Sequence, residues 1–107
     1  MRFRYEVRLT HSASLDFENL IDWLASEGHE TPEDFVTLLE NRCRLNLAFT
    51  PRMGRQLGTI SAGNTQLELR QILIGHHRIV YLPPIDGADV VTILRLLHTA
   101  QDLGPVI

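Results

Sequence analysis

Apolar and polar residues alternate at the start of the chain. Phe3, Tyr5, Val7 and Leu9 interleave with Arg4, Glu6, Arg8 and Thr10, the period of a strand with one buried face. The period then changes. Phe17, Leu20, Ile21, Leu24 and Ala25 recur at helical spacing, with Ser12 or Ser14 as the expected cap and Asp16 and Glu18 suited to the positive end of the dipole. Gly28 stops this helix. Thr31, Pro32, Glu33 and Asp34 read as the start of a second one. Its stripe of Phe35, Leu38, Leu39, Cys43 and Leu47 runs to about Phe49, with Arg42 and Arg44 near its negative end.

Thr50 precedes Pro51 and leaves helical geometry. The stretch through Gly54, Gly58 and Gly63 has no clear period and reads as a loop of about fifteen residues, a length usually tied to function or poor order. Leu67 to Ile74 and His77 to Leu82 are rich in branched residues, and Gly75-His76 between them predicts a hairpin. A turn over Pro83-Pro84-Ile85-Asp86-Gly87 leads to Asp89 to Leu97. That segment is apolar on both faces except at Thr92 and Arg95, as a covered central strand would be. Thr99 to Leu103 is expected to form a last helical turn. The order is strand, helix, helix, strand, strand, strand. It predicts an α+β fold in which a helical hairpin packs on a four-stranded antiparallel sheet.

At 107 residues with 44% hydrophobic and 21% charged, the chain is expected to form one domain over residues 1–107. No apolar run is long enough to span a bilayer, and the N-terminal residues lack the apolar stretch of a secretory signal, so a cytoplasmic location is expected. Cys43 stands alone, which excludes an internal disulfide or a Cys-x-x-Cys motif, and its apolar surroundings predict a buried hydrophobe. Walker, Gly-x-Gly-x-x-Gly and His-Glu-x-x-His motifs are missing from the sequence, which removes the usual support for nucleotide hydrolysis or zinc proteolysis. No cofactor is expected.

The charges are segregated. Residues 1–40 carry three arginines against nine acids, net −6, and residues 41–107 carry seven against four, net +3; there is no lysine. An anionic partner is therefore expected to meet the later part of the chain. A two-residue Gly75-His76 turn sets Arg70 opposite Tyr81 and Arg78 opposite Leu73, on different faces. Arg95 lies among Leu94, Leu96 and Leu97, where a guanidinium needs either an anion or a structural ion pair with Glu68 or a helix carboxylate. His98 ends the strand as either an acid–base group or a surface residue. His76 and His77 point apart if extended and make a poor metal pair, so no metal is expected. Trp23 and Phe17 are expected to be core rather than a stacking platform.

Pro51-Arg52-Met53-Gly54-Arg55, Leu69-Arg70, His77-Arg78-Ile79-Val80-Tyr81 and Ile93-Leu94-Arg95-Leu96-Leu97-His98 follow one strand and two helices. In that order the chain resembles the RelE/ParE superfamily of bacterial toxins of type II toxin–antitoxin systems. The Pro-x-Met-Gly-Arg loop and the Leu-Leu-His ending are closer to the ParE branch. The resemblance implies a small α+β toxin neutralised by a cognate antitoxin, in a heterotetramer or larger complex. ParE-like members poison DNA gyrase, and the surface implied here is the loop 51–55 with the C-terminal segment, with Arg52, Met53, Arg55, Arg70 and Tyr81 as the target-binding residues. RelE-like members cleave messenger RNA on the ribosome, and that alternative would use Glu68 as base and His98 as acid, with Arg78 and Arg95 stabilising the phosphate. Thr99, Ala100 and Gln101 stand where arginines are often found in the family. The net charge of −3 disfavours docking into RNA. A third reading is an inactive module that only binds its antitoxin.

Overall fold

A computed structural model describes residues 4–85 and 87–98 of the chain. Strand β1 (Glu6–Leu9) is followed by α1 (His11–Ser26), α2 (Pro32–Phe49), β2 (Arg55–Ala62), β3 (Thr65–Ile74), β4 (His77–Leu82) and β5 (Val90–His98). The strands form one sheet in the order β1-β5-β4-β3-β2. The α+β architecture of one strand, a helical hairpin and then a strand series is as the sequence predicts. The expected helical turn at Thr99 to Leu103 lies outside the described residues. Among the described residues, no helix is long and apolar enough to cross a membrane.

The sheet departs from the expected four antiparallel strands in two ways. It has five strands, and β1 lies parallel to β5, with Val7 opposite Val91 and Leu9 opposite Ile93. The extra strand is β2, which the sequence disguised as a loop. A bulge between Gln56 and Gly58 makes Leu57 the additional residue, so the half-buried Leu57 and Ile60 fall three positions apart and the period of two is lost. A second bulge, between Ile93 and Arg95 of β5, has the same effect. It lets Ile93 and Leu96, also three apart, both join the core.

The Gly75-His76 hairpin forms in the predicted register, with Arg70 opposite Tyr81 and Leu73 opposite Arg78. Gly75 holds φ at 60° while His76 stays at negative φ, the type II′ pattern that matches strand twist. One sheet face packs Val7, Ile72, Ile74, Ile79, Tyr81, Val91, Ile93 and Leu96 against Ala13 and Phe17 of α1 and Val36, Leu39, Cys43 and Leu47 of α2. Val80 and Leu97, buried as well, point to the other face by alternation. Cys43 is a buried core residue, as expected.

The cap of α1 is Thr10 rather than Ser12 or Ser14. Its Oγ1 accepts from the Ala13 N–H at 3.1 Å and donates to the Leu94 carbonyl at 3.0 Å. The helix therefore starts directly where β1 stops, and Thr10 serves both elements. Thr31 caps α2 without a side-chain bond, with Pro32 following. Arg44 does not sit in the last turn of α2; its Nη1 donates to the Val7 carbonyl at 2.8 Å and its Nε to Glu40 at 2.9 Å, tying α2 to β1.

Candidate functional site

The segment that leaves α2 is held on β3 and β4 by two side chains. Gly54, the one buried residue of Pro51–Arg55, donates its N–H to Tyr81 Oη at 3.0 Å. A Cβ at this position would overlap the Gln71 carbonyl oxygen and lie 2.8 Å from Tyr81 Oη, so only glycine allows the approach. From β3, Arg70 Nη1 donates to the Gly54 carbonyl at 2.5 Å and the Arg52 carbonyl at 3.2 Å, while Nη2 donates to Glu68 at 2.6 Å. Arg52 completes the cluster, with Nη2 donating to the Pro84 carbonyl at 2.9 Å and Nε 3.6 Å from Glu68.

The electrostatics follow from these contacts. The hydrogen bond from Arg70 holds the Glu68 carboxyl below the usual carboxylate range, with Arg52 adding to it, and Glu68 in turn raises Arg70. Burial pushes the Tyr81 phenol up, so it stays neutral. Arg52, Met53, Arg55, Arg70 and Tyr81 thus come together around one loop, but in two roles. Tyr81 is fully buried and Arg70 mostly so; both fix the backbone. Arg52, Met53 and Arg55 are exposed, Met53 at 51%.

Gln71 is a site residue that the sequence did not reveal. It is 7% exposed, its Oε1 has no hydrogen-bond donor, and it lines a cavity of about 390 Å³ with Met53, Gly54, Arg55, Ile72 and Leu73. A buried amide oxygen without a donor is a costly arrangement, and nothing in the strand pattern around Gln71 signals it.

Glu68, Arg78, Arg95 and His98 do not share a site. Arg70 faces Tyr81 and His77 faces His98, so Glu68 and His98 lie at opposite ends of the sheet, roughly 20 Å apart at about 3.3 Å per residue. Arg95 is bound to a helix carboxylate: its Nε and Nη2 donate to Asp16 at 2.7 and 3.0 Å, and the Leu96 N–H donates to the same carboxylate at 2.9 Å. Asp16 thereby raises the Arg95 pKa. Arg78 is half-buried on the face away from Arg70.

His98 contacts two further histidines, with ring centroids 6.2 Å from His76 and 5.9 Å from His77. Among the described residues no three His, Cys, Asp or Glu side chains are placed to hold a metal ion. Phe17 is core, but Trp23 is not. It is 57% exposed and lines a cavity of about 430 Å³ with Asp16, Arg95, His77 and His98. The reason is geometric: Trp23 falls beside the Leu20–Leu24 stripe rather than on it.

Two solved structures of similar fold come from toxin–antitoxin systems. The RelBE2 complex from Mycobacterium tuberculosis matches with a TM-score of 0.59 at 22% identity, over 92% of this chain and 95% of that one. The chromosomal ParDE system from P. aeruginosa matches with a TM-score of 0.62 at 16% identity, over 89% and 96%. No curated protein matches the sequence. A sequence model of the family described as "ParE toxin of type II toxin-antitoxin system, parDE" matches residues 7–103. The chain belongs to the ParE toxin family of type II toxin–antitoxin systems.

Proposed function

We propose that this protein binds and inhibits DNA gyrase in the cytoplasm through the Arg52–Arg55 loop, and that a cognate antitoxin neutralises it. The observation that carries the reading is the loop's anchoring. Tyr81 and Arg70 immobilise its backbone from below, so Arg52, Met53 and Arg55 are displayed without a large ordering cost on binding. Arginine and methionine are enriched in protein–protein contacts. The antitoxin partner is supported by the two structural neighbours, both of which come from toxin–antitoxin systems.

The ribonuclease alternative has less support, since its acid and base are separated by the length of β4 and Arg95 is already neutralised by Asp16. The test is supercoiling by purified gyrase with added protein, beside cleavage of translated messenger RNA. Inhibited supercoiling that is relieved by Arg52→Ala with Arg55→Ala is the expected result. Cleaved message with normal supercoiling would transfer the protein to the ribonuclease class. No effect in either assay, with tight binding of the antitoxin, would leave the inactive module.

A further inference from the structure

The two edges of the sheet are finished differently. Along the outer side of β1, α2 takes two groups: the N–H of Tyr5, just ahead of the strand, donates to the Ala48 carbonyl at 2.8 Å, and the Val7 carbonyl accepts from Arg44 at 2.8 Å. On β2, among the described residues, no backbone group bonds to anything except β3. This bare edge is eight residues long. Residues 56–67, which form most of β2, the turn and the start of β3, contain no charged side chain, although charge is the usual protection of an exposed edge.

From this contrast we infer that β2 is a self-association edge, pairing antiparallel with β2 of a second copy of this chain. The register follows from the hairpin. Its Gly63-Asn64 turn is closed by Ala62 opposite Thr65; in a two-residue hairpin that closing pair exchanges hydrogen bonds, so by alternation Thr59 and Ser61 direct their N–H and C=O groups outward. A two-fold axis at Ile60 sets Thr59 against Ser61 of the second copy, and the reverse. Both outward pairs then bond, Ile60 meets its own copy at a close, non-hydrogen-bonded position, and hydroxyls face hydroxyls.

No like charges oppose one another in this register. Arg55 lies five residues before Ile60, so the two copies of Arg55 fall at opposite ends of the contact. Each copy's β2 edge is used up in the two-fold contact and part of the β1 side is taken by α2, so the assembly closes at two copies. The contact is a narrow one, so a reversible dimer is expected rather than an obligate one.

Sedimentation of the full chain over a wide concentration range tests this, with Ile60→Lys and Ile60→Glu as variants and circular dichroism to confirm that both fold. The wild type is expected to pass from monomer to dimer with rising concentration, and each variant alone to associate at least about tenfold more weakly, since a like charge is placed on the axis. An equimolar mixture of the two variants is expected to regain the dimer. A wild type that stays monomeric, a species that grows beyond two copies, or a mixture no better than its components would each overturn the inference.

Discussion

Gly54, Tyr81 and Arg70 show how three residues from three parts of the chain fix one stretch of backbone. Tyr81→Phe keeps the buried ring and removes only the acceptor for the Gly54 N–H. The expected cost is about 1 kcal/mol, or a fall in Tm of roughly 4–8 °C for a chain of this size. Gly54→Ala is expected to be worse, at about 2 kcal/mol or more, because the added methyl meets backbone that cannot yield. Thermal melts of both variants check the order.

Cys43 makes the opposite kind of statement. Burial, with Glu40 nearby, pushes its thiol up to about 12, so the native protein is expected to resist alkylation at neutral pH and to react only once unfolded. Counting modified thiols by mass with and without denaturant decides this. The Arg52–Arg55 loop was legible in the sequence because an unusual local string marks it. Gln71 was not, because an orphaned amide oxygen is a property of its neighbours in space.

Among the elements, α1 is seated on β5 by a carboxylate as well as by its core side chains and its cap. Beyond Leu9, β1 no longer covers β5, and Asp16 takes over by accepting from the Leu96 N–H and from Arg95. Asp16→Ala leaves a part-buried guanidinium and an amide without their acceptor and is expected to cost about 3 kcal/mol. Arg95→Ala is expected to cost less, since Asp16 retains the amide. Urea unfolding of both variants and the double variant gives the coupling between them.

The helices and the β3–β4 register could be read from sequence because they follow from local spacing and a two-residue turn. Strand β2 could not, since its bulge at Leu57 shifts the phase of the apolar positions. The pairing of β1 with β5 lacked a local signal altogether, because the two strands are separated by most of the chain.

At the scale of the whole molecule, three imidazoles meet where the β3–β4 turn reaches the end of β5, and two of them, His77 and His98, line a cavity with Asp16 and Arg95. Burial lowers the pKa of His77, and repulsion from His98 and His76 lowers it further. The folded state therefore prefers neutral His77, and the unfolded chain takes up the proton first as pH falls. This contribution to stability is present above the ordinary histidine value of about 6.5 and is lost as pH drops through it. The expected outcome is a Tm that declines between about pH 7 and pH 5, and His77→Gln should flatten the decline.

The parallel pairing of β1 with β5 also bears on how the protein is made. Strand β1 leaves the ribosome some eighty residues ahead of β5 and has to wait for it before it gains its neighbour. A translation product interrupted ahead of Val90 lacks that neighbour, and Leu96 and Arg95 are missing for Asp16 to hold. Synthesis cut short there thus yields a fragment whose helices have only part of a sheet to rest on, and the native sheet is completed only once β5 has been made.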